Sequence, residues 1–156
     1  MVANFQPYWA WADQFITELT MPKLGPERSK WLYPIGSILK TGAVVAFGSD
    51  WFVTSGNPML GIETAITRKD PLTNQSDDFL MHERINLADA IAAYTINGAY
   101  VNFMENDAGS IEVDKYADLI VIDRNLFKIP ETEISEANVV LTLLDGELVY
   151  GDWDMK

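Results

Sequence analysis

Apolar residues in the first third of the chain predict two short strands separated by helices. Residues Val2–Phe5 have strand character, and the unbroken apolar run 43–47 is typical of a buried strand. Between them, apolar positions over residues 8–19 recur at helical spacing, which predicts one helix. A second helix is predicted over about 26–40, because glycine commonly follows the end of a helix and Gly42 stands just beyond it.

The middle of the chain predicts a helix, a long loop and another helix. Asn57 and Pro58 match the cap and first-turn proline of a helix that reaches Thr67. Residues 69–84 are polar and rich in turn formers, which indicates a loop long enough to be a lid or a rim element. A helix is then predicted over about 87–103.

Beyond residue 108 the apolar pattern becomes that of β-strands. Asp145 and Gly146 stand between two of the runs and predict a tight hairpin, since this pair tolerates the positive φ of a type I′ turn. The predicted strands cover residues 110–113, 119–122, 139–144 and 147–150.

A carboxylate stands where the second predicted strand ends. Asp50 follows the run 43–48, and in a βα barrel the carboxyl ends of the strands and the loops after them build the active-site face. An Asp held there on a rigid element would face a shared pocket. The alternative is that Asp50 only caps the next turn or helix, since Asp favours N-caps whatever the function.

Four parts of the sequence together resemble the C-terminal part of the metal-dependent amidohydrolases, specifically the amidohydrolase 3 group that includes N-substituted formamide deformylases. The segment 48–68 contains Asp50 at the end of the predicted strand. Residues 3–9 resemble the group's seventh barrel strand and its loop, and residues 33–42 resemble the helix before strand eight. Residues 94–123 resemble the closing helix and the return into the small β domain.

The resemblance implies an α/β fold in two parts. Residues 1–108 would be the end of a TIM-type βα barrel, with its last two strands and their helices. Residues 109–156 would supply strands of a small β-sandwich domain. The chain would therefore be a C-terminal fragment of a longer enzyme.

Most metal ligands of this family have no counterpart in the sequence. The family's enzymes resemble one another in a His-x-His pair on the first strand, a bridging Lys or Glu, two further His and an Asp on strand eight, and only the Asp is matched, by Asp50. The sole histidine, His82, lies in the polar loop, where a lone histidine is more often solvated or paired with a neighbouring acid. A catalytic zinc normally has three protein ligands, so we expect this chain alone to bind no catalytic metal and to be inactive.

The resemblance assigns roles to four residues of the complete parent. Asp50 would be an oxygen ligand of a divalent metal, with zinc expected, and would accept a proton from the attacking water. Gln6, Trp9 and Trp51 follow the two strand ends and would bind the substrate at the pocket mouth. For Trp9, as for Trp11, core or inter-helix packing is the alternative.

Composition narrows the partners. A formal net charge of −12, from 23 acidic and 11 basic residues, argues against nucleic acid. No apolar run approaches the roughly 20 residues that span a bilayer, and no secretory signal is predicted at the N-terminus, so a membrane partner is not expected and a cytoplasmic location is favoured. The N-terminus of a longer parent would lie outside this sequence.

Two hypotheses of different class follow. The first is a C-terminal fragment of a metal-dependent hydrolase that acts on a non-peptide carbon–nitrogen bond of a small amide or formamide. The second is a non-catalytic regulatory or interaction module that keeps the fold without the metal. In the first case we expect the fragment to self-associate, because barrel strands without their neighbours leave unpaired edges.

Overall fold

A computed structural model describes residues 1–75 and 78–153, with five helices and five strands in this part of the chain. The helices are α1 (Met21–Ser29), α2 (Ile35–Lys40), α3 (Pro58–Thr67), α4 (Leu87–Tyr94) and α5 (Ile96–Val101). The strands are β1 (Val2–Phe5), β2 (Val44–Phe47), β3 (Leu119–Ile122), β4 (Val139–Leu144) and β5 (Glu147–Gly151). A π-helical segment, Phe15–Thr20, runs into α1, and 3-10 turns cover Pro7–Trp9, Met81–Glu83 and Glu131–Glu136.

The two predicted strands of the first part are confirmed, and they are neighbours. β1 and β2 pair in parallel, with Val2 opposite Val44 and Phe5 opposite Phe47. The Gly48 amide then donates to the Phe5 carbonyl at 3.0 Å. The carboxyl ends of both strands therefore lie at the same end of the sheet, where the loops that follow them meet.

Helices cover one face of β2. Val45 and Phe47 alternate with Ala46 along the strand, so they point to the same side, where Phe47 meets the ring of Tyr94 edge-on at 5.3 Å. The buried core on that side also contains Ala10, Ile35, Met59, Ile62, Ala65, Ile66, Ala90 and Ala93. Because this face of β2 is buried against the helices, the orientation of β2 is fixed. The start of the loop that follows β2 is fixed with it.

The second part contains a three-stranded antiparallel sheet in the order β3-β4-β5. The hairpin between β4 and β5 is confirmed, since Asp145 has φ 51° and Gly146 has φ 80°. The Asp118 carboxylate accepts from the Asp145 amide at 2.8 Å and ties the hairpin to the segment before β3.

The core continues across residue 108. Leu126, Ile134 and Ala137 belong to the same buried cluster as the helices of the first part. Glu63 of α3 accepts a hydrogen bond from the Ser135 amide at 2.7 Å. The predicted division into 1–108 and 109–156 stays a prediction, and its two sides share a core.

The predicted helix over 8–19 is wrong in its first half. Pro7–Trp9 is a 3-10 turn, and the helical segment begins only after Asp13, whose Oδ1 accepts from the Ile16 amide at 2.7 Å. Asp13 thus caps a new segment, which the apolar spacing did not reveal.

The predicted helix over 26–40 is interrupted, and α1, which begins before it at Met21, contains a kink. Gly25, with φ 75° and ψ 168°, carries that kink. The interruption falls between α1 and α2, where Pro34 disfavours the helical conformation of Tyr33, which has φ 48°.

The predicted helix over 87–103 divides into α4 and α5 at Thr95, which has φ −117° and ψ −97°. The Asn97 side chain donates to the Val45 carbonyl at 2.8 Å and draws the start of α5 toward β2. A contact 52 residues away in sequence thus accompanies the break.

The predicted strand 110–113 is absent, because local bonds replace strand pairing there. Lys115 Nζ donates to the Glu105 carbonyl and to Ser110 Oγ, both at 2.6 Å, and Asp114 has φ 71°. The segment is therefore a turn rather than a strand.

The predicted lid or rim, 69–84, is only partly described, since Ser76 and Asp77 lie outside the described residues. Phe79 is buried, and its ring lies 5.3 Å from the Arg68 guanidinium carbon. The described ends of this loop pack on the core.

Among the described residues no helix is long and apolar enough to cross a membrane.

Candidate functional site

The Asp50 carboxylate lies just beyond the carboxyl ends of β1 and β2. Asp50 lies three residues past Phe47, has a left-handed φ of 53° and is exposed. Within the described part of the chain no hydrogen bond or ion pair reaches its carboxylate. Only its carbonyl is bonded, by the Val53 amide at 2.8 Å. The carboxylate is therefore available to an outside partner.

The capping alternative for Asp50 is wrong at the next helix. Asn57 is the N-cap of α3, and its Oδ1 accepts from the Met59 amide at 3.0 Å. The turn after β2 is closed by Ser49, whose Oγ accepts from the Trp51 amide at 3.1 Å and whose carbonyl accepts from the Thr54 hydroxyl. Neither cap needs the Asp50 side chain.

The loop after Asp50 presents apolar side chains to solvent. Trp51 is 74 % exposed and Phe52 is 84 % exposed, and their rings meet edge-on at 5.9 Å. Gly56 passes close to the Trp51 ring. Trp51 thus stands on the rim beside Asp50 rather than in the core.

Side chains from both strand-end loops line an open cavity of about 390 Å³, here called the aromatic cavity because half of its lining residues are aromatic. The loop after β2 contributes Val53 and Thr54, so one wall adjoins the Asp50 turn. The remaining lining comes from the loop after β1, the π-helical segment and the turn before α2: Tyr8, Trp9, Trp11, Asp13, Phe15, Ile16, Thr20 and Tyr33.

The structure separates the predicted substrate-binding residues. Trp9 lies in the aromatic cavity, whereas Gln6 and Trp51 are not part of its lining. Gln6 is half-buried directly after β1, with its carbonyl accepting from the Trp9 amide at 3.1 Å. The sequence analysis did not identify Asp13 and Tyr33 as residues of this cavity. The close spacing of Tyr8, Trp9 and Trp11 was a signal that could have indicated an aromatic site in this segment.

Buried charges hold the turn that carries Tyr33. Arg68 is fully buried, and its guanidinium donates to the carbonyls of Tyr33 at 3.1 Å and Leu32 at 3.2 Å. Burial lowers the pKa of Arg68 to about 10, while the negative charge of Glu83 opposes that shift. Glu83, also fully buried, accepts from the Ser37 amide at 2.7 Å. Arg68 therefore holds the turn before α2, and Glu83 holds the beginning of α2 itself.

The described residues provide one carboxylate suited to a metal and not a complete ligand set. They contain no group of three or more His, Cys, Asp or Glu side chains that could hold an ion. His82 Nε2 lies 3.4 Å from Glu83 Oε1, so the sole histidine is beside a neighbouring acid. Asp50 fits the role of one oxygen ligand, and further ligands would have to come from outside these residues.

A second cavity lies on the helix side of β2. Its volume is about 550 Å³, and its wall is mainly apolar, including Phe47, Ile62, Ile91, Tyr94 and Leu126. Burial raises the pKa of Tyr94 to about 12, so its phenol stays neutral at physiological pH. This cavity lies among core side chains, and none of the described residues that line it has a carboxylate.

The chain matches the model of the Amidohydrolase family over residues 2–150. It is 33 % identical to Protein LONG AFTER FAR-RED 3 of Arabidopsis thaliana over 96 % of this chain and 25 % of that protein. It is 32 % identical to N-substituted formamide deformylase of Arthrobacter pascens over 76 % of this chain and 21 % of that enzyme.

A solved structure with the same fold is an uncharacterized metal-dependent hydrolase from Pyrococcus horikoshii. The TM-score is 0.68 at 25 % identity, over 82 % of this chain and 25 % of that one. The chain thus spans about a quarter of the length of the proteins that it matches.

Proposed function

The chain belongs to the amidohydrolase family, and on that premise we propose that it is the C-terminal portion of a metal-dependent hydrolase. The reaction would break a non-peptide carbon–nitrogen bond of a small amide or formamide. The observation that carries the proposal is the exposed Asp50 carboxylate at the shared end of two parallel strands, with no partner among the described residues. The similarity to a formamide deformylase supports the substrate class.

Asp50 would perform two tasks in the complete protein. It would supply one oxygen ligand to a divalent metal, for which we propose zinc, and it would accept the proton of the attacking water. A bound metal of this kind lowers the pKa of its coordinated water toward about 7. Gln6, Trp9 and Trp51 would contact the substrate around the strand ends.

The remaining residues of the site would orient the substrate. Trp9 offers an apolar face within the aromatic cavity, and Trp51 stands on the rim beside Asp50.

Residues 1–108 would be the end of the barrel, and residues 109–156 would contribute β3, β4 and β5 to a small β-sandwich. The incomplete ligand set of the described residues supports the second candidate, a non-catalytic module.

Replacing Asp50 by Asn in the complete protein tests its role. Asn keeps the size and removes the charge, so turnover should fall at least about 10²-fold, the lower end of what a positioned proton acceptor contributes. The melting temperature of the metal-free protein should stay nearly constant, because the Asp50 carboxylate bonds to no described residue.

Asp114→Asn is the matched control, since Asp114 is also exposed and also has a left-handed φ. Its turnover should equal that of the natural protein. Near-normal turnover of Asp50→Asn would reject the catalytic assignment. An upstream reading frame without a His-x-His motif after a strand would favour the non-catalytic module.

A further inference from the structure

We propose that the aromatic cavity binds an organic ammonium group, held between aromatic ring faces and the carboxylate of Asp13. The position of the cavity is given by the geometry described above. The binding of an ammonium group in it does not depend on the reaction proposed at Asp50. The binding group would be a quaternary ammonium or a protonated alkylamine.

Aromatic residues make up half of the residues that line the cavity. Five of its ten residues are aromatic, namely Tyr8, Trp9, Trp11, Phe15 and Tyr33. The faces of such rings carry negative potential and attract organic cations, most strongly at Trp, with a gain that increases as the cation loses water. A neutral apolar ligand would gain only from contact area.

Asp13 adds a formal negative charge to this lining. Its Oδ1 accepts from the Ile16 amide at 2.7 Å, and no bond to its other oxygen is present among the described residues. Burial raises the pKa of Tyr33, and the charge of Asp13 raises it further. The phenol of Tyr33 is thus neutral, and both it and the unbonded oxygen of Asp13 are available to a cation.

No Lys or Arg belongs to the described lining of the cavity. Arg68 has an electrostatic effect on Tyr33, but it is buried and its guanidinium is bonded to the carbonyls of Tyr33 and Leu32. The net charge of −12 further favours the approach of cations. Charge complementarity therefore selects an organic cation over an anion or a neutral group.

The position of the cavity connects this ligand to the proposed reaction. Val53 lines the cavity and also bonds to the Asp50 carbonyl at 2.8 Å. If the proposed function holds, the ammonium would be one end of an amide substrate whose scissile bond lies near Asp50. The binding of an ammonium group can be tested without that reaction.

The test uses the complete protein that contains this chain, with two probes of the same shape, choline and its uncharged isostere 3,3-dimethyl-1-butanol. Calorimetric titration, with tryptophan fluorescence as a second readout, gives both dissociation constants. Choline should bind at least about tenfold more tightly, which is the scale of a partly desolvated cation–π contact reinforced by a carboxylate. Equal affinity, or no saturable binding of choline, would overturn the proposal.

Two variants assign the site. Asp13→Asn keeps an oxygen acceptor for the Ile16 amide and should remove most of the preference for choline. Glu18→Gln alters an exposed carboxylate of the same helical segment outside the cavity and should leave the preference unchanged. A preference retained in Asp13→Asn would refute the role of Asp13.

Phe15→Leu keeps the test decisive if Asp13→Asn does not fold. Phe15 is 71 % exposed, so its replacement removes little core packing. Loss of its aromatic ring should weaken choline binding about threefold or more and weaken binding of the neutral isostere less. Equal weakening of both probes would contradict a cation–π site. Failure of this binding leaves the Asp50 result in the complete protein unaffected, so the two proposals fail separately.

Discussion

Glu63 is a buried carboxylate with half of its hydrogen-bonding capacity unused. It is fully buried in α3, its Oε2 accepts from the Ser135 amide at 2.7 Å, and its Oε1 has no partner among the described residues. Burial raises the pKa of Glu63, although the bond from Ser135 opposes the shift. Folding therefore favours the protonated form of Glu63 relative to the unfolded chain.

The raised pKa makes stability depend on pH with a definite sign. The folded state holds this proton at pH values where the unfolded chain, with a pKa of 4.5, has lost it. The contribution of Glu63 is thus fully present below that pH and is lost as the pH rises through the folded-state pKa.

Glu63→Gln should remove this loss. Gln keeps an oxygen for the Ser135 amide and carries no charge, so the free energy of unfolding at pH 7 should rise relative to the natural chain. The difference should shrink toward pH 4. Urea unfolding at both pH values measures it, with the exposed Glu147→Gln as the control. A variant less stable than the natural chain at pH 7 would contradict the prediction.

Gly61 of α3 lies close against α4 and against the turn after β1. A methyl group at this position would overlap the Tyr94 hydroxyl and would lie 3.1 Å from Pro7 Cγ. Glycine is thus required here for the contact between α3, α4 and the turn after β1, and not for its backbone freedom.

Gly61→Ala should therefore destabilise the fold despite the better helix propensity of Ala. Overpacking typically costs about 1–3 kcal/mol, against a propensity gain of about 1 kcal/mol. Tyr94→Phe in the same chain should recover part of the loss, because it removes the overlapping oxygen. Thermal melting of both single variants and the double variant measures the coupling. Strict additivity would show that the overlap is relieved elsewhere.

Elements with local signals could be predicted from the sequence. The unbroken apolar run of β2 and the Asp145-Gly146 pair specify a buried strand and a hairpin without distant contacts. The Asn57 cap is likewise local, since its partner is the amide of Met59.

Elements that depend on distant partners could not be predicted. The turn at Tyr33 is held by Arg68, 35 residues away, and the start of α5 is drawn to β2 by Asn97. The position of Asp50 could be predicted, because it depends only on the end of one strand. The aromatic cavity could not, because its walls come from separate segments.

At the scale of the whole molecule, the first sheet is incomplete. Within the described residues β1 and β2 pair only with each other, so each strand has one unpaired edge. Large apolar side chains are also exposed, including Trp51, Phe52 and Phe103. Such edges and side chains favour pairing with other chains.

The isolated chain should therefore associate. We expect sedimentation to show a concentration-dependent dimer or larger oligomer, or a poorly soluble protein. A stable monomer at high concentration would indicate a self-sufficient module and would count against the C-terminal fragment.

The shared core has a consequence for recombining parts of related enzymes. Leu126, Ile134 and Ala137 pack with α3, and Ser135 bonds to Glu63. A hybrid protein joined at residue 108 would set one parent's α3 against another parent's 123–138 segment. A crossover that inherits both pieces from one parent keeps this contact, so hybrids made that way should fold more often.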